Sequence, residues 1–151
     1  TNIVISSFDS DYFQLISTNV SVLRYRGKGT TFCGEKYIWE KFGIGADKYA
    51  DMKALCGDAS DNIRGVPRVG QKTAARLINE FGSLDGIMQN ADRIKQSALR
   101  ESILMNLDRL LLNRRLITLT GGAALPFETE ELEFIMPEFT SVQALKALGI
   151  I

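Results

Sequence analysis

Histidine is absent from all 151 residues. That removes the usual general base near neutral pH and the commonest ligand of zinc and iron sites. Metal chemistry in such a chain falls to carboxylates, which suit hard cations such as Mg²⁺ or Mn²⁺. Cysteine is scarce as well. Cys33 and Cys56 stand apart with no CxxC spacing and no disulfide framework, so reduced thiols in a cytoplasmic setting are expected. No apolar run approaches a membrane span and no signal-peptide pattern occurs, so no membrane partner is expected. Net charge is lacking too: 18 Lys and Arg balance 18 Asp and Glu. Any attraction to a polyanion must therefore come from a local patch. What the chain has in quantity is apolar residues, at 45%, which suffice for the core of one medium domain or part of a larger one.

The pattern is mostly helical with a small β portion. Asn2-Ile3-Val4-Ile5-Ser6 reads as a strand of the buried, parallel kind. Thr1 stands where a start methionine would, and a lone first strand has no evident partners; both point to a piece of a longer protein. Val20 to Phe32 reads as a hairpin turning at Gly27-Lys28-Gly29, with Arg24, Arg26 and Lys28 as its cations. Gly34 to Phe42 is predicted helical with Gly43 as the stop, and Ala46 to Cys56 as a second helix with Tyr49, Met52, Leu55 and Cys56 inward. Gly70 to Phe81 follows, ended by Gly82, and Ser83 caps a short helix through about Gln89. Ser97 to Leu116 is predicted as one long helix. Glu128 to Glu133 is an acidic, solvated run, and Thr140 opens a final amphipathic helix with Val142, Leu145 and Leu148.

Two pairs of aspartates carry the chemistry. Asp9 and Asp11 follow the first strand at i and i+2, where both can point into the crevice at the strand's end. The same spacing also suits a helix start, with Asp9 or Ser10 as cap and Asp11 in the first turn. Asp58 and Asp61 lie at i and i+3, so one helical turn would bring them to one face, although Ser60 or Asp61 also suits a capped turn. After them comes Ile-Arg-Gly-Val-Pro-Arg-Val-Gly-Gln-Lys-Thr-Ala-Ala, ending at Ala75. A tight Gly/Pro turn that feeds a helix start presents unpaired N–H groups and the positive dipole end, a seat for an anion. Arg64, Arg68, Lys72 and Arg76 surround it, with no acid between Asn62 and Asn79. An ordinary loop-to-helix junction with a solvated basic face has the same appearance.

Gly-Asp-x-x-Asp-Asn-Ile-x-Gly-Val-Pro-x-Val-Gly-x-Lys-Thr-Ala, from Gly57 on, resembles the signature of the 5′-to-3′ exonuclease and flap-endonuclease family. The resemblance implies the C-terminal part of an α/β, PIN-like 5′-nuclease: a nuclease-core edge over 1–33 and a helical region over 34–151. A helix–hairpin–helix at 57–82 would grip duplex DNA. It implies that Asp9, Asp11, Asp58 and Asp61 hold Mg²⁺ or Mn²⁺. Arg64, Gly65, Val66, Arg68, Val69, Gly70, Lys72, Thr73 and Arg76 would face DNA, and the family's hairpin often holds a K⁺ through backbone carbonyls. Phe8, Ser10, Arg64 and Arg68 depart from the family's usual small residue, lysine, proline and glycine. If the turn needs a positive φ at residue 68, arginine is strained there.

The implied activity is two-metal hydrolysis of a DNA phosphodiester near a 5′ flap, nick or end, by a monomer with no small-molecule substrate. The family's more N-terminal carboxylates are not in this sequence, so the chain alone is expected to bind duplex DNA without cutting it. The alternatives are a non-catalytic helix–hairpin–helix module and a structural domain whose carboxylates are only caps.

Overall fold

The computed structural model describes residues 2–27, 29–133, 141–147 and 149. Two compact units divide the chain, Thr1–Leu119 and Thr120–Ile151. The first carries β1 (Ile3–Ser6), β2 (Val20–Arg26), β3 (Gly29–Cys33), α1 (Glu35–Phe42) and α2 (Tyr49–Cys56). It continues with β4 (Gly57–Asp58), β5 (Ile63–Arg64), α3 (Gln71–Phe81), α4 (Leu84–Gln89), α5 (Ser97–Leu104) and α6 (Leu107–Ile117). The second unit holds a short 3-10 turn at Thr129–Leu132 and α7 (Ser141–Ala147). In α7 Val142 is exposed and Leu145 half-buried; Thr140 and Leu148, expected to frame this helix, lie outside the described residues, as does Lys28. No helix among the described residues is long and apolar enough to cross a membrane.

The three-stranded sheet runs β1-β2-β3, with β1 parallel to β2 (Ile3 opposite Val20) and β2 antiparallel to β3 (Val22 opposite Cys33). The expected parallel strand is present, but it is not buried: Ile3 and Val4 are about half exposed, at 52% and 50%. The reason is position, since β1 forms the sheet's edge among the described residues. The crossover from β1 to β2 contains a 3-10 helix, Ser10–Leu15, whose Phe13 is fully buried. Phe13 packs edge-on against Tyr37 and Tyr49, at 5.9 and 5.4 Å between ring centroids, and against Phe42 at 6.3 Å. These four rings join the sheet to α1 and α2.

α2 is the central helix, packed on α3 and α6. Asn113 of α6 is buried and donates through Nδ2 to the carbonyls of Ala54 and Arg64, both at 2.9 Å. Each such bond contributes about 1 kcal/mol, and together they tie α2 and β5 to α6. The segment 97–116, expected as one helix, is broken at Met105–Asn106. Asn106 Nδ2 donates to the Ser102 carbonyl at 2.8 Å, the acceptor that helix continuation would use, and its own N–H turns to Ile103.

Asp58 and Asp61 do not share a helical turn. β4 pairs antiparallel with β5, and the intervening loop, Ala59 to Asn62, ends on Asn62 with φ of +57°. Immediately afterwards the Val69 N–H donates to the Val66 carbonyl at 3.1 Å, with Pro67 second in the turn and Arg68 third at φ +70°. That is the type II pattern, which favours glycine at the third place. Arg68 thus carries the strain that its position implied. Gly57 and Gly65 bring two backbones together where no side chain fits: a methyl on Gly65 would collide with the Cys56 carbonyl and the Gly57 nitrogen.

Two substitutions are expected to move stability in opposite directions. Arg68→Gly should raise it by about 0.5–1 kcal/mol by relieving the positive φ. Gly65→Ala should lower it by about 3 kcal/mol, because backbone cannot yield to the new methyl. Urea unfolding of both variants at one pH checks the signs.

Candidate metal centre and phosphate seat

α2 and the β1–β2 crossover together build an acidic centre. Asp58, in β4 directly after α2, and Asp61, in the following loop, meet Asp11 from the crossover; one ligand oxygen from each lies within 4.8 Å of the others. Asp58 is buried, Asp11 partly buried and Asp61 exposed. Asp58 Oδ1 accepts from the Ser60 amide at 3.0 Å and from the Ser60 hydroxyl, which fixes its plane. Asp11 Oδ1 is buried with no hydrogen-bond partner. A buried carboxylate oxygen that accepts no hydrogen bond relies on a nearby cation for compensation, and three carboxylates this close repel one another. Both features suit a divalent cation held by Asp11, Asp58 and Asp61, an all-oxygen donor set of the kind that hard cations take.

Asp9 lies outside this group. Its Oδ1 accepts from the Asp11 amide at 2.9 Å, making it the N-cap of the 3-10 helix. Capping orients the first turn, and so aims Asp11 inward.

A residue that the sequence pattern did not single out sits in the middle of the acids. Lys53, on α2, has a side chain only 8% exposed. Its Nζ pairs with Asp58 Oδ2, stands 3.3 Å from Asp11 Oδ1 and donates to Ser10 Oγ at 3.5 Å. The available signal was a lysine inside the apolar run Met52-Lys53-Ala54-Leu55, one turn after the inward-facing Tyr49.

The second feature is the turn before α3. Val66 and Val69 are buried, and their amides are already used, by the Leu55 carbonyl at 2.8 Å and the Val66 carbonyl at 3.1 Å. Gly65 lies against the Cys56–Gly57 backbone. These three residues shape the turn from inside. The groups it presents outward belong to the start of α3: Gly70 is its N-cap without any side-chain cap, followed by Gln71, Lys72 and half-buried Thr73. The first amides of a helix have no acceptor within it. Arg64, Arg68, Lys72 and Arg76 are all exposed, and among the described residues none forms an ion pair. Arg76 donates to Gln96 Oε1 at 3.2 Å.

A cavity of about 540 Å³ joins the two features, bordered by Ser10, Arg24, Lys53, Asp58, Gly70 and Gln71. Arg24 is held at its edge over the Phe13 ring, 5.5 Å from the centroid, while Nη2 donates to the Phe8 carbonyl at 2.7 Å. Tyr49, beneath the acids, has its pKa raised, chiefly by burial and further by the Asp11 charge, against a lowering by its hydrogen bond with Ser10. Burial also raises the Cys56 thiol.

Three comparisons bear on this arrangement. Residues 44–140 match a family model described as the 5′-3′ exonuclease, C-terminal SAM fold. The chain is 44% identical over 105 residues to thermostable DNA polymerase I of Thermus aquaticus, covering 70% of this chain and 12% of that protein. It is 38% identical over 136 residues to the polymerase of Thermus filiformis, covering 90% of this chain and 16% of that protein. The chain thus spans about one seventh of the length of these curated relatives. A solved structure of the phage T5 D15 protein, co-crystallised with metal ions, superposes with a TM-score of 0.69 at 23% identity, over 77% of this chain and 43% of that one. The likeness to the phage protein establishes a shared fold.

The raised pKa of Tyr49 gives a pH prediction. A folded value above the unfolded one stabilises fully below the unfolded pKa, near 10, and that contribution is lost as pH rises through the folded value. Stability should therefore fall above about pH 10. Tyr49→Phe should flatten that fall, as read by denaturant unfolding between pH 8 and 11.

Proposed function

The chain belongs to the 5′-3′ exonuclease family through its C-terminal SAM fold, and from this we propose that it is the DNA-gripping part of a metal-dependent nuclease. The reaction is hydrolysis of a DNA phosphodiester near a 5′ flap, nick or end, by a cytoplasmic, monomeric 5′-3′ exonuclease or flap endonuclease. The observation that carries this reading is a group of three converging carboxylates, one with a buried oxygen that accepts no hydrogen bond, beside an uncapped helix start rimmed by cations outside any ion pair among the described residues. The family membership and the fold shared with the phage T5 D15 protein, crystallised with metal ions, support it.

Each part of the chain has a role in that reading. The α3 start and Lys72, with Arg64, Arg68 and Arg76, hold duplex phosphates without reading bases. Gly65, Val66 and Val69 support that seat from beneath, and the turn's carbonyls are where the family resemblance puts a K⁺. Asp11, Asp58 and Asp61 hold Mg²⁺ or Mn²⁺, with Asp9 acting through the turn that carries Asp11. A divalent ion bound there supplies Lewis-acid stabilisation of the charge that develops on the phosphodiester oxygens. Asp58 is kept in one orientation by Ser60, so its oxygens face the centre before substrate arrives. Arg24, at the cavity edge, neutralises phosphate as the strand passes from seat to acids. No histidine base is required for such chemistry, consistent with a chain that has none.

The carboxylates also discriminate this reading from a module that only binds DNA. With a labelled 5′-flap duplex and Mn²⁺, Asp61→Asn in the parent protein should abolish incision and leave duplex binding within about twofold. Asp61 is exposed, so the fold should survive. Incision that persists in Asp61→Asn would remove the residue from the mechanism. Lys72→Ala should weaken binding to duplexes of any sequence alike and lower the salt slope by about one. Sequence-dependent loss, or none, would remove Lys72 from the phosphate seat.

A further inference from the structure

Lys53 is the least expected group in the acidic centre. Its side chain is as buried as that of Asp58, 8% exposed in each case, and an ammonium removed from water is unfavourable unless it is paired. The partners here are the same carboxylates that converge on one another. Three carboxylates, Asp11, Asp58 and Asp61, against one ammonium leave a net formal charge of −2, so the lysine offsets only part of their repulsion. Lys53 forms ion pairs with both Asp58 Oδ2 and Asp11 Oδ1, the latter at 3.3 Å.

Resting on the metal-binding reading above, we propose that Lys53 is an internal counter-cation that competes with the divalent ion. Without metal its ammonium occupies the space between Asp11 and Asp58 and keeps the three carboxylates assembled against their repulsion. To bind, a divalent ion has to displace the ammonium from these oxygens, because two cations sharing them repel each other. The ammonium has somewhere to go: Lys53 borders the cavity that leads toward Gly70 and Gln71, and Ser10 Oγ is already within its reach. The consequence is a centre that is assembled in advance yet binds its ion less tightly than the bare carboxylates would. Lys53 is on this account a positioning residue that sets the metal concentration at which the site fills.

The test is Mn²⁺ binding by calorimetry to the chain and to Lys53→Met, whose apolar stem fits the buried space, with far-UV circular dichroism to check the fold. Lys53→Met should bind Mn²⁺ at least about tenfold more tightly than the parent sequence. Lys53→Arg, which keeps the charge, should stay within about threefold of the parent. Unchanged or weaker Mn²⁺ binding by a folded Lys53→Met overturns the competition and leaves Lys53 as scaffold. Mn²⁺ uptake that survives in Asp61→Asn, or is absent from both parent and Lys53→Met, overturns the metal reading itself. A second measurement needs no variant at Lys53. Its acetylation by acetic anhydride, followed by mass spectrometry, should rise severalfold when the unsubstituted chain is saturated with Mn²⁺, as the ammonium leaves the carboxylates. Equal acetylation with and without Mn²⁺ overturns the proposal.

Discussion

Like-charge repulsion among three carboxylates within 4.8 Å of one another is the constraint around which the first unit is built. Left to themselves, Asp11, Asp58 and Asp61 would separate into water. They are prevented by where their backbones are fixed: Asp58 in β4, directly after the central helix α2, and Asp11 in a turn capped by Asp9 and anchored by Phe13. Lys53 offsets part of the repulsion from inside the same helix. The four packed rings of Phe13, Tyr37, Phe42 and Tyr49 provide the apolar support on which this polar arrangement rests. Aromatic pairs add about 0.5–1.5 kcal/mol each beyond the area they bury, the scale needed to hold partly desolvated charges in place.

The distance between the acids and the start of α3 is set by a backbone device, not by side chains. Gly57 and Gly65 let the chain fold back on itself, so that α2 delivers Asp58 and, after one short hairpin and one tight turn, the chain re-enters as α3. Asn113 then secures both arms from α6. A side chain at either glycine would push the start of α3 away from the carboxylates. The buried Val66 and Val69 make the turn rigid from below, leaving its outward surface to the α3 amides and the cations.

The helix stops at Gly43 and Gly82, the Ser83 cap, the β2–β3 hairpin and the helical span of α3 were all legible, because each is decided by residues within one turn of one another. The long helix expected over 97–116 was not, because a single side-chain bond from Asn106 interrupts a periodicity that otherwise continues. Asp58 and Asp61 have helical spacing, but Gly57, at φ +81°, turns the chain into a hairpin before a helix can include them.

The amino-acid sequence by itself determined which residues are available: carboxylates in place of histidine, glycines at the turns, cations without neighbouring acids, and a motif specific enough to give the family. Only the tertiary structure decided which of them meet. Of the four aspartates in two pairs, three converge, and the fourth caps a turn instead. Lys53 and Ser10, 43 positions apart, come into contact at that centre, and two valines of the motif turn inward. The physical reason is range. Caps, turns and helix stops depend on hydrogen bonds to near neighbours in the chain, whereas the meeting of Asp11, Lys53 and Asp58 depends on how a buried aromatic cluster packs the crossover against α2.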